Sequence, residues 1–138
     1  MSVARVLVVD DEESNRVTLE RLLEREEMEV VVAANGREAL ERVRGDGVDV
    51  VLTDLKMPGM SGMDLLRAAR ALDPDVEVVL MTAYGTVETA VEAMKEGAFD
   101  FVTKPLKRAE LVRTLRQAAD RRRLRLENRL LKARLGGG

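Results

Sequence analysis

"VLVVDDEES", residues 6–14, decides how this chain is read. Four apolar residues form the pattern of a strand buried on both faces, and they run directly into four acids, Asp10, Asp11, Glu12 and Glu13. Like charges set that closely raise one another's pKa unless a cation sits among them. The junction therefore predicts a buried parallel strand whose carboxyl end carries a site.

Working outward, the same alternation recurs. "EVVVAA", "VDVVLTD", "VEVVLMTA" and "FDFVTKP" read as strands two to five. Between them lie segments of helical periodicity: residues 13–26 with Ser14 as a candidate cap, residues 35–45 ending at glycine, and residues 63–72 stopped by Pro74. A fourth, with Thr86 as cap, is stopped by Gly97. Everything from Leu106 to Gly136 reads as helix. Strand followed by helix, five times over, predicts a doubly wound parallel sheet with helices on both faces. Ligands in such sheets bind outside the carboxyl ends of the strands. Those ends carry Asp10 and Asp11, then Asp54, Thr82 and Lys104.

Composition narrows the chemistry. Apolar residues make up 46% and charged residues 35% of the 138, a globular balance. There is no cysteine and no histidine, which removes disulfides, thiolate metal sites and the usual neutral-pH base. No leader and no run of about 20 apolar residues is seen, so a cytoplasmic location away from membranes is expected. With oxygen donors alone, the expected cation is magnesium, which takes one or two carboxylates plus phosphate oxygens. Asp10 and Asp11 are the expected holders of the metal. Asp54, alone at the end of its strand, is the expected nucleophile for a phosphoryl group, with Lys104 and the Thr82 hydroxyl contacting its oxygens.

These residues carry a resemblance. "VVDDE", "DVVLTDLKMPGMSGMDLL" and "VVLMTAYGTVETAVEAMKEGAFDFVTKP" resemble the receiver domain of bacterial two-component response regulators, over residues 3–118. The resemblance implies the flavodoxin-like strand order 2-1-3-4-5 and Asp54 as phosphoacceptor. It implies magnesium held by Asp10, Asp11, Asp54 and the backbone carbonyl of Lys56. It also implies a histidine kinase as donor, which places the missing histidine on the partner. Phe101 takes the position of the family's switch aromatic, moving with Thr82; Pro105 follows a cis bond; Lys56 and Tyr84 tune the lifetime of the phosphoryl group. "GTVETAVEAMKEGAFDFVTKP" is most similar to receivers of the sigma-54 activator subclass, in which a receiver controls a downstream ATPase and DNA-binding domain.

The last quarter differs in charge. From Lys104 onward twelve Lys/Arg face three acids, a net +9, which leaves the first 103 residues at −11. Past Ala119 the sheet-facing stripe of the last helix breaks at "DRRR", and a second stripe begins. Leu124, Asn128, Leu131 and Leu135 are spaced four, three, four, as in a coiled-coil seam with one polar core position. The expected division is a receiver over 1–118, a coiled-coil extension of helix five over 119–135 that builds a homodimer, and a flexible end over 136–138. The arginines read as the solvated flank of that coil, with no aromatic or Asn/Gln readers for direct nucleic-acid binding. Two alternatives stay open: a receiver that dimerises without phosphorylation, and a haloacid-dehalogenase-type phosphatase, although the latter places its nucleophile on strand one.

Overall fold

The computed structural model describes residues 3–83 and 87–136. Tyr84, the Thr86 cap and the last two glycines lie outside the described residues. Among the described residues ten elements alternate: β1 Arg5–Val9, α1 Glu13–Arg25, β2 Glu29–Ala33, α2 Gly36–Gly45, β3 Val50–Asp54, α3 Gly62–Leu72, β4 Glu77–Thr82, α4 Val87–Lys95, β5 Asp100–Thr103 and α5 Arg108–Gly136. The five strands form one parallel sheet in the order β2-β1-β3-β4-β5. That is the expected order, and it places Asp10 just past the end of β1 and Asp54 at the end of the neighbouring β3.

Strand alternation divides the core in two. Val6, Val8, Leu52, Val79 and Met81 point to the face covered by α1 and α5, through Leu19, Leu23, Leu111 and Leu115. Leu7, Val9, Val51 and Leu80 point to the face covered by α2, α3 and α4, through Ala39, Leu65, Leu66 and Ala93. The middle of each of the three central strands is apolar because both of their faces are roofed.

The helix starts follow local chemistry with one correction. Asn35 caps α2, its Oδ1 accepting from the Glu38 amide at 2.9 Å. Ser61 and Asp64 form a reciprocal capping box on α3. Ser14 does not cap α1: it lies inside the helix, Glu12 occupies the cap position without a side-chain bond, and the Ser14 carbonyl instead accepts from Thr18 Oγ1. The helix starts at Glu13, two residues before a Ser14 cap would start it. Gly97, past the end of α4, takes a φ of 98°, which suits glycine.

α5 is a single helix of 29 residues, about 43 Å long. Leu111, Val112, Leu115, Ala118 and Ala119 are buried against the sheet. Beyond them Leu124, Leu131 and Leu135 are exposed. The arginines of this stretch are not merely a solvated flank: Arg122 and Arg125 are partly buried, Arg121 and Arg129 are exposed, and all four reach back to acids of the receiver body. Periodicity could not reveal those partners, because they lie on other elements.

Candidate functional site

Four strands deliver the site to one rim. Asp10 follows β1 and is almost fully buried at 1% exposure. Such a carboxylate needs partners. Its Oδ1 accepts from the Glu12 amide at 2.9 Å and its Oδ2 from Asn15 Nδ2 at 3.3 Å, while Arg16 Nη1 donates to its carbonyl at 2.7 Å. Asn15 and Arg16 therefore orient Asp10 from the first turn of α1. Sequence reasoning missed both; their place one turn into the helix that follows the acidic pair was the available signal.

Asp54 closes β3 and is half-buried. Its Oδ1 accepts from the Lys56 amide at 3.3 Å and its Oδ2 from Lys104 Nζ at 2.9 Å. One carboxylate oxygen from each of Asp10, Asp11 and Asp54 lies within 4.8 Å of the others. Three acids at that spacing, with oxygen as the only donor, fit a hard divalent cation, and Mg2+ suits a site that keeps open positions for water and phosphate. Lys104 is the cation on the other side. Burial pulls its pKa down, but the hydrogen bond and charge of Asp54, with the charges of Asp10 and Glu12, outweigh that and hold it above the ordinary range.

Thr82 ends β4 and is buried. Its carbonyl accepts from the Lys104 amide at 2.8 Å, so the ladder between β4 and β5 sets Lys104 across from Asp54. The Lys104–Pro105 bond is cis. Thr82 and Phe101 line one small cavity of about 10 Å³ with Leu55, Leu80, Thr89, Ala90 and Ala93. Phe101 itself is half-buried. Lys56 is exposed beside Asp54, and Tyr84 lies outside the described residues.

A further residue that sequence reasoning missed is Gly62, the first residue of α3. Its amide donates to the Leu55 carbonyl at 2.9 Å, which seats the helix directly under the Asp54 turn.

Comparison with known proteins agrees with this geometry. Residues 6–116 match the family described as the response regulator receiver domain. The chain is 39% identical over 127 residues to the C4-dicarboxylate transport transcriptional regulatory protein DctD of Rhizobium meliloti, covering 92% of this chain and 28% of that protein. It is 46% identical over 113 residues to the transcriptional regulatory protein ZraR of Escherichia coli, covering 82% and 26%. The chain thus spans about a quarter of these relatives. Among solved structures it is similar to a response regulator receiver domain protein from Clostridium thermocellum, at a TM-score of 0.83 and 37% identity over 88% of this chain and 98% of that one. It is also similar to the beryllofluoride-activated NtrC4 receiver domain dimer, at 0.80 and 35% over 86% and 98%. Relatives that are transcriptional regulators are in line with the resemblance to sigma-54 activator receivers. The rim of acids, the lysine beside them and the sheet that presents them are those of a response regulator receiver domain, and this chain belongs to that family.

Proposed function

We propose that this chain is a phosphorylation-dependent signalling switch in which Asp54 accepts a phosphoryl group from a histidine kinase. One observation carries the reading: the Asp54 carboxylate is held by Lys104 at 2.9 Å while also lying within 4.8 Å of Asp10 and Asp11. In the transfer, an Asp54 oxygen forms a bond to phosphorus as the bond from phosphorus to the kinase histidine nitrogen breaks, and the imidazole leaves. Water later attacks the phosphorus, releasing inorganic phosphate and restoring the carboxylate. Asp10, Asp11, Asp54 and the Lys56 carbonyl would hold Mg2+, which would supply positive charge to the transferring group. Lys104 supplies the second positive charge, and the Thr82 hydroxyl donates to a phosphoryl oxygen. Lys56, exposed beside Asp54, tunes the lifetime of the product, a role that the resemblance also gives to Tyr84.

The response runs through Thr82 and Phe101, which share one small cavity with α4. Thr82 moves toward the phosphoryl group and Phe101 follows into the space. Val87, Val91 and Met94 of α4, exposed in the structure, then change partners. The Leu124, Asn128, Leu131 and Leu135 seam pairs two copies in a homodimer, supported by its exposure along one continuous helix. Residues 1–118 form the receiver and 119–135 the coil. The regulated partner in a longer protein is a sigma-54-dependent ATPase with a DNA-binding domain; this chain itself does not contact nucleic acid. A cytoplasmic location follows from the kinase partnership, and among the described residues no helix is long and apolar enough to cross a membrane.

The test is mass in solution by light scattering, with and without beryllofluoride and Mg2+. Wild type is expected to change mass and Asp54→Asn is not. Identical responses would overturn the switch and favour a receiver that dimerises without phosphorylation.

A further inference from the structure

The edge of the sheet opposite the aspartate rim carries a second concentration of charge. Asp49 precedes β3, Asp73 and Asp75 lie between α3 and β4, and Glu77 is the first residue of β4. Glu77 is 1% exposed and Asp75 4% exposed. Carboxylates at that depth are untenable without cationic partners.

The partners come from α5, beyond its apolar contact with the sheet. Arg125 Nη1 lies 2.8 Å from Glu77 Oε1, with Arg121 Nε at 4.0 Å and Arg70 Nη1 of α3 at 3.9 Å. Arg122 is nearly buried and bridges two loops, its Nε 3.2 Å from Asp49 Oδ1 and its Nη1 2.9 Å from Asp73 Oδ2. Arg129 Nη1 is 2.9 Å from Asp75 Oδ2. Arg121 also sits over the Phe99 ring, 5.8 Å from its centre. Several of these are the buried, multiply paired contacts that matter, unlike isolated surface pairs.

Helical geometry gives the arrangement a purpose. At 3.6 residues per turn, Arg122, Arg125 and Arg129 continue the sheet-facing stripe of Leu115 and Ala118. Leu124, Leu131 and Leu135 lie roughly 130° around the helix from them. The helix past Ala119 has no apolar cover from the body, and a segment of that length is marginal as an isolated helix. The ion pairs are what tie it down.

We propose that Asp49, Asp73, Asp75 and Glu77, with Arg121, Arg122, Arg125 and Arg129, form a latch that makes α5 part of the receiver body as far as Arg129. The latch sets the rotation of the helix and so the direction in which the leucine stripe faces a second copy of this chain. These eight are positioning residues: they act on the stripe through α5 and lie at the end of the sheet away from the phosphoryl site. β3 and β4 begin in the latch and end in Asp54 and Thr82, so site and helix share one rigid frame. Only the identity of the stripe's partner rests on the dimer reading above.

Hydrogen exchange read by mass spectrometry tests the latch in a Leu131→Glu background, where no second copy shields the helix. Amides 121–130 are expected to be protected there. Adding Arg122→Met and Arg125→Met together, or Glu77→Gln from the other side, is expected to speed exchange in that segment by about tenfold or more, with β1 and β3 unchanged. A segment already unprotected in Leu131→Glu, or rates within about twofold in the double arginine variant, would overturn the latch. So would an equal rise in β1 and β3, since the pairs would then serve whole-domain stability alone. Light scattering on the unsubstituted chain reports the dimer separately: a monomer whose amides 121–130 are protected keeps the latch and removes the seam's partner.

Discussion

Gly62 stands so close to Asp54 that a Cβ there would sit 2.6 Å from the Asp54 carbonyl oxygen and 2.8 Å from Leu55 Cα. Both are backbone atoms of the turn that carries the acceptor carboxylate, so neither can move aside cheaply. Gly62→Ala is expected to cost about 1–3 kcal/mol of stability, as overpacking does. It is also expected to weaken Mg2+ binding, because the only relief is displacement of the Asp54 turn. Urea unfolding and calorimetric Mg2+ titration of the variant check both. An unchanged Mg2+ affinity would show that the turn absorbs the clash away from the carboxylate.

Lys104 meets Asp54 through a half-exposed pair, so its structural contribution is small and its chemical one is not. Lys104→Met is expected to change stability by less than about 1 kcal/mol. Phosphorylation by acetyl phosphate is expected to slow by about 100-fold or more, the usual effect of losing one charged donor at a transferring group. Intact-mass measurement of the phosphorylated fraction against time gives the rate.

Asp10, Asp11 and Asp54 repel one another in the absence of a cation, and Mg2+ relieves that repulsion only in the folded chain. At 100 times its dissociation constant Mg2+ is expected to add about 2.7 kcal/mol. In thermal melts that is a rise on the order of 5–10 °C, reversed by chelator. Asp10→Asn and Asp54→Asn are each expected to remove most of the rise.

Glu77 gives a pH dependence of definite sign. Burial pushes its pKa above the ordinary glutamate value, and Arg125, Arg121 and Arg70 only partly oppose this, while Asp75 adds to it. The folded chain therefore binds this proton more tightly than the unfolded chain does. Stability from this group is greatest below the ordinary value of about 4.3 and declines as pH rises through the raised folded value. Measured against Glu77→Gln, wild type is expected to gain relative stability as the buffer is taken from neutral pH down through that window. A difference independent of pH would mean that the arginines cancel the burial completely.

Much of the fold and most of the site were legible in the chain itself, as the first strand illustrates. Val6–Val9 had to be a doubly buried parallel strand because alternate residues on both faces are apolar, and the acids that follow had to emerge at its tip. The same logic located Asp54, Thr82 and Lys104, because the position of a residue at a strand end follows from local periodicity. The start of α1 at Glu13 was legible too, but its cap was not: Glu12 holds the cap position and Ser14 lies inside the helix.

What the amino-acid order alone determined, then, was the alternation of elements and the set of polar groups at the carboxyl rim, since both are properties of neighbours in sequence. Tertiary structure alone decided that Gly62 abuts the Asp54 turn and that the arginines of α5 close on acids as far as 90 positions away. A charged side chain carries no local record of its partner; which opposite charge it meets depends on where the sheet sets the loops and how packing of Leu111, Leu115 and Ala118 turns the helix above them.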